Sequence, residues 1–99
     1  MRIFSRKTLR EFWEQPNYAN SEQPLKAWYD EATKASWKTP NEIKAQYKSA
    51  SILKDSRVVF NIHGNTYRLI IKINYDFGVI YIRFIDTHEE YDKVNVNEV

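Results

Sequence analysis

Thr87-His88-Glu89-Glu90-Tyr91-Asp92 holds the side chains best suited to moving a proton near neutral pH, an imidazole and, three positions on, a phenol. If this segment turns as a helix, the spacing puts both on one side. Arg68, Lys72, Tyr81 and Arg83 lie upstream, each set among alternating apolar residues. Cationic groups beside an acid/base pair are the minimum set for cutting RNA through its own 2′-hydroxyl. One group takes that proton, arginines stabilise the added negative charge on the phosphorane, and another group protonates the leaving 5′ oxygen. Guanidiniums grip phosphate in bidentate fashion, and aromatic rings stack on bases. A lone His-x-x-Tyr is more often structural than catalytic, and exposed strands often carry Arg and Lys for solubility alone. Spacing therefore does not assign the role.

The elements that must position these residues are three strands at 57–62, 66–75 and 79–85, where apolar residues recur with a period of two. His63-Gly64-Asn65 and Asp76-Phe77-Gly78 join them as tight turns, too short for parallel crossovers, so the strands pair antiparallel. Alternation puts Tyr67, Leu69, Ile71, Ile73 and Tyr75 on a core face, with Ile80, Ile82 and Phe84 beside them. Arg68, Lys72, Tyr81 and Arg83 then share the other face. Thr87 to Glu90 reads as a capping box for a short terminal turn, and residues 95–99 as a frayed tail.

The N-terminal half reads as helical after a short strand at 1–4. Ser5 starts a helix through about Glu14, with Leu9, Phe12 and Trp13 on one side. A second runs from about Ser21 to Ser36 with a stripe of Leu25, Trp28, Tyr29, Ala32 and Ala35. Thr39-Pro40-Asn41-Glu42 begins a third, which carries Ile43 and Tyr47. Trp13, Trp28 and Trp37 fall in these helical patterns as core or partner-facing residues. The predicted fold class is α+β, an antiparallel meander with N-terminal helices on one face, in a single domain spanning 1–99.

Composition narrows the classes. The chain has 99 residues and no cysteine, which excludes disulfides and thiolate metal sites and fits a reducing compartment. No segment has the roughly 20 apolar residues of a membrane helix, and the N-terminus lacks a signal-peptide centre, so a cytoplasmic location is expected. The net charge is +2, but five of the thirteen acids lie in the last fourteen residues. The rest of the chain has fourteen basic and eight acidic residues, the balance of a polyanion-binding body. Asp86, His88 and Asp92 make a weak metal pattern, better read as a solvated acidic tail. His63 sits in a turn, and no phosphate-cradling glycine loop or nucleophile triad is present.

Ile52-Leu53-Lys54, Arg57-Val58-Val59-Phe60-Asn61-Ile62 and Gly64-Asn65-Thr66-Tyr67-Arg68-Leu69 together resemble the HigB branch of the RelE/ParE toxin superfamily. So do Tyr81-Ile82-Arg83-Phe84-Ile85, Thr87-His88-Glu89-Glu90-Tyr91-Asp92, Pro24-Leu25-Lys26-Ala27-Trp28-Tyr29 and Trp37-Lys38-Thr39-Pro40. The resemblance spans nearly the whole chain. It implies a RelE-like fold and a type II toxin–antitoxin mRNA interferase that works without a metal or other cofactor, typically on the ribosome. It also implies a helix-turn-helix, HigA-like antitoxin and a toxin that is monomeric when free of it. Carried onto matching positions, the working residues are Arg68, Arg83, His88 and Tyr91, with Lys54, Arg57, Lys72 and Tyr81 contacting RNA. Some RelE-like nucleases rely on clustered lysines, which are few here, so the general base stays open, with His88 favoured. Two alternatives remain at this point: a gyrase-poisoning, ParE-like toxin on the same scaffold, and a catalytically idle module that only binds RNA or antitoxin.

Overall fold

Apolar residues at helical spacing shape the first half of the chain. The computed structural model describes residues 1–99 and begins with a short strand, β1 (Arg2–Phe4), followed directly by helix α1 (Arg6–Trp13). Leu9, Phe12 and Trp13 line one side of α1 and are buried. Ser5 adopts the extended conformation of an N-cap, yet its hydroxyl makes no capping bond. A 3-10 turn at Pro16–Ser21 leads into α2 (Glu22–Lys34), which buries Leu25, Trp28 and Ala32. Tyr29 and Ala35 pack half-buried against the same core. In α3 (Pro40–Gln46), Thr39 stands at the N-cap, but Glu42 accepts from the Lys38 backbone N–H instead of completing the expected box.

The second half is the sheet. Strands β2 (Ser51–Ile52), β3 (Arg57–Ile62), β4 (Tyr67–Asn74) and β5 (Val79–Thr87) form an antiparallel meander, and α4 (His88–Tyr91) closes it. The β3–β4 turn places His63 and Gly64 at φ 54° and 63°, a left-handed pair that suits glycine. One expectation needs correction. The sheet is mixed, in the order β1-β5-β4-β3-β2, because β1 lies parallel to β5 with Phe4 opposite Tyr81. Three helices separate β1 from the meander, and a connection that long allows a parallel entry. The class remains α+β.

The helices cover one face. Beneath them the core joins Trp28, Trp37 and Tyr47 around Phe60, and sets Phe12 against Tyr18 and Tyr67. Trp13, Trp28 and Trp37 are all buried there.

The opposite face is covered in part as well. Val59 and Ile70 point away from the helices, outside the main core cluster, and are still only 3% and 0% exposed. The last residues account for this. From Tyr91, packed against Arg68, the chain runs to Val99, whose main-chain oxygen accepts from Arg57 Nε at 3.1 Å. That path crosses the row of Ile70 and Val59, and Val94, Val96 and Val99 are half-buried along it. Residues 95–99 are therefore no frayed tail. Val94, Val96 and Val99 close over apolar residues that the sheet would otherwise leave wet.

Candidate active site

Register decides which side chains share the second face. Tyr67, Leu69, Ile71 and Ile73 belong to the helix-covered core, so Arg68, Ile70, Lys72 and Asn74 face the other way. Across β5, Asp86 stands opposite Arg68, Phe84 opposite Ile70, and Tyr81 opposite Lys72. Between these pairs the ladder slips: Ile70 meets Phe84 while Ile71 meets Ile82, which leaves Arg83 as the extra residue of a bulge. Two readings change as a result. Phe84 lies on the Arg68 face and not in the core, and alternation no longer fixes the side that Arg83 takes. Arg83 is exposed, and its Cα stands roughly 10 Å from that of Arg68, given ~3.3 Å per residue and ~4.8 Å between strands.

At the α4 end, the local sequence builds a defined corner. Thr87 Oγ1 accepts from the Glu90 backbone N–H at 3.2 Å, capping α4 as its sequence predicts. The His88 backbone N–H donates to the Thr66 carbonyl at 3.1 Å, which ties α4 to the start of β4. Tyr91, one turn along, meets Arg68, whose guanidinium carbon is 5.8 Å from the ring centroid. Arg68 Nη1 donates to the carbonyls of Asn65 at 2.9 Å and Tyr67 at 3.2 Å. Those bonds occupy one nitrogen and orient the fork. The Nε and Nη2 donors stay available for a bidentate grip on phosphate.

His88 is half-exposed and flanked by acids, with Nε2 2.9 Å from Glu89 Oε1 and Nδ1 3.8 Å from Asp92 Oδ2. Either carboxylate can orient the ring. A cavity of about 450 Å³ opens beside it, lined by Asn17, Asn65, Thr66 and Thr87 among others. Asp86, His88 and Asp92 do not gather as a group able to hold a metal ion.

The other expected RNA contacts lie elsewhere. Lys72 and Tyr81 are cross-strand partners at the far end of the face, roughly 13 Å along β4 from Arg68 at ~3.3 Å per residue. Lys54 is exposed in the turn before β3, near that end. Arg57, the register partner of Lys72, is only 7% exposed. Its Nε donates to the Val99 main-chain oxygen, and Asp55 lies 3.9 Å from its Nη1. In this arrangement Arg57 pins the C-terminal segment and leaves little of its surface open to a ligand. The structure thus sets Arg68 against Tyr91 at one end, with His88 one helical turn before Tyr91 and beside a cavity that neither Arg68 nor Tyr91 lines. It puts Lys54, Lys72 and Tyr81 at the other end and sets Arg83 between.

Sequence reasoning passed over Arg2 and Phe4. Phe4 is 44% exposed and its ring lies 6.0 Å from that of Tyr81, inclined by 21°, with the Arg2 guanidinium 5.2 Å from the Phe4 centroid. The alternation of Arg2 and Phe4 about inward Ile3 was the available signal. What it lacked was the strand beside it. Elsewhere, burial holds the Tyr67 and Tyr75 phenols above their usual range, so both stay protonated as structural groups. His63 is an exposed turn residue.

Comparison with known proteins gives the family of the chain. Residues 21–94 match the HigB toxin family, described as the RelE-like toxic component of a toxin–antitoxin system. The chain is 31% identical over 94 residues to the mRNA interferase toxin HigB of Escherichia coli strain K12, covering 93% of this chain and 88% of that one. The mRNA interferase HigB proteins of Escherichia coli O157:H7 and Shigella flexneri match to the same extent. With most of its length matched by the family and a basic sheet face ending in the Arg68–Tyr91 corner, the chain belongs to the HigB toxins, RelE-like toxic components of toxin–antitoxin systems.

Proposed function

We propose that this toxin is an endoribonuclease that cleaves mRNA by attack of the RNA's own 2′-hydroxyl. The observation that carries the reading is the Arg68 fork, fixed by two backbone carbonyls and by Tyr91, one helical turn from a half-exposed His88. His88 takes the 2′-hydroxyl proton, and the 2′ oxygen bonds to phosphorus. The free edge of Arg68 neutralises charge gathering on the phosphorane oxygens. The P–O5′ bond then breaks, leaving a 2′,3′-cyclic phosphate on one fragment. Tyr91 or the protonated His88 supplies the proton that the 5′ oxygen needs. Arg83, exposed at the bulge, adds a second cation to the substrate path. Lys54, Lys72 and Tyr81 hold the strand on its far side.

The acid/base corner and the likeness to mRNA interferases favour this reading over a gyrase poison or an idle binding module. The whole chain works as one domain in the cytoplasm, monomeric when free, on mRNA held by the ribosome. A helix-turn-helix antitoxin neutralises it by covering either the basic face or the helical side.

The test is expression of wild type beside His88→Ala and Arg83→Ala, with a reporter message followed on purified ribosomes. Wild type arrests growth and cuts the message, and each variant loses both effects. Equal growth of all three cultures would count against catalysis. Cleavage of gyrase-bound plasmid without cut RNA would reassign the toxin.

A further inference from the structure

The row that crosses the sheet at its far end has features that a patch made only for solubility does not need. Register places Phe4, Tyr81 and Lys72 side by side on β1, β5 and β4. Phe4 and Tyr81 are each 44% exposed, and their rings are close to parallel. Arg2 lies against the outer ring. On the β4 side of Tyr81 there is a cavity of about 390 Å³, lined by Tyr81, Lys72, Asn74, Ser56, Tyr75 and Asp76 among others. This volume falls within the ~300–1,000 Å³ of pockets that take small planar ligands. Tyr81 is therefore a wall of the cavity, and Phe4 backs that wall from outside.

We infer that this cavity receives one unpaired base of the RNA strand, stacked on Tyr81 with Phe4 behind it, while Lys72 meets the adjoining phosphate. The inference rests on the mRNA-cleaving reading and deepens it by naming a base-binding subsite. An aromatic wall accepts any base by its π-face, and a single-stranded ligand lets a base turn outward to meet it. The polar lining has something to offer the base edge. The Asn74 carbonyl oxygen is engaged by the Phe77 backbone N–H, so its amide donors are left to the cavity, and Ser56 and Asp76 add a hydroxyl and an acceptor. Asp76 repels phosphate, which directs the backbone toward Lys72 and the base inward. Lys72 stands roughly 13 Å from Arg68 along β4, against the ~3.4 Å rise of one nucleotide in a stacked strand. At that rise the seated base belongs to a nucleotide about four positions away from the phosphate that is cut. In this position it sets the register in which the message enters the Arg68 corner.

The experiment uses the full chain and a short unstructured RNA whose sugars are 2′-O-methylated, so that it binds without being cut. 2-Aminopurine is placed at successive positions, and its emission and the anisotropy of an end label are followed. At one position the emission is quenched on binding by wild type and by Tyr81→Trp. Phe4→Ala and Tyr81→Ala relieve the quench and weaken binding about fivefold or more, the lower end of the loss of one stacked base. Both wild-type rings are half-exposed, and circular dichroism identifies any variant that fails to fold. If both alanine variants bind within about twofold of wild type with the quench intact, the subsite is refuted while cleavage on ribosomes still stands. A wild-type protein that neither binds this RNA nor cuts a message overturns the parent reading as well.

Discussion

Arg68→Ala removes the one guanidinium whose geometry the fold fixes on three sides, by Asn65, Tyr67 and Tyr91. The phosphorane carries one more negative charge than the bound phosphodiester. Two unit charges ~4 Å apart interact by about 4 kcal/mol at an effective dielectric of ~20. Arg68 is half-buried, so solvent screens part of this, and about 2–3 kcal/mol is left. At 1.36 kcal/mol per decade that is about a 30- to 150-fold loss in the cleavage step. The charge exists only in the transition state, so the rate at saturation falls while half-saturation moves little. Arg68→Lys keeps the charge but loses the fork, and recovers only part of the rate. The assay is single-turnover cleavage of a reporter message on saturating ribosomes, with thermal melts as control. The lost carbonyl contacts cost stability about 1 kcal/mol or less, since water can replace them. An unchanged rate at saturation, with only half-saturation shifted, would refute the electrostatic role.

Three further outcomes follow from the packing. Ile70→Ala destabilises the protein by about 2–4 kcal/mol, read as a lower urea midpoint, because Ile70 is fully buried under the C-terminal segment. A loss under about 0.5 kcal/mol, as at an exposed site, would mean that this face is open. Arg57→Met destabilises by about 1 kcal/mol through loss of its bond to the half-buried Val99 main-chain oxygen, yet leaves cleavage per folded molecule unchanged. A selective loss of RNA affinity would restore Arg57 to the RNA contacts. Tyr47, Tyr67 and Tyr75 are all held protonated above their usual range, chiefly by burial. Their contribution to stability is complete below the unfolded value of about 10 and is lost as pH rises past it. Urea midpoints should decline above about pH 10, less steeply in Tyr67→Phe, and parallel curves for the two proteins would reject that assignment.

Much of the fold was legible because it is written locally. The stripe of Leu25, Trp28 and Ala32 needs only the 3.6-residue repeat, β3 needs only the repeat of two, and the Thr87 cap needs only the residues that follow it. His88 and Tyr91 share a turn for the same reason, and Arg68 and Lys72 share a face. The bulge at Arg83 was not legible, since an extra residue shows only when two strands are laid side by side. Nor was the covering of Arg57, a contact between positions 57 and 99.

By itself, then, the amino-acid order determined which residues are helical, which alternate, where the chain turns, and that basic residues gather on strands leading to an acid/base turn. Tertiary structure alone decided that β1 enters parallel to β5 and backs Tyr81 with Phe4. It also decided that the final valines close the middle of the second face and leave two separate working ends. Repeats and caps act between near neighbours and are visible in any short window of sequence. Pairing between distant strands and the burial it forces depend on the sum of many weak contacts, which exists only once the chain has folded.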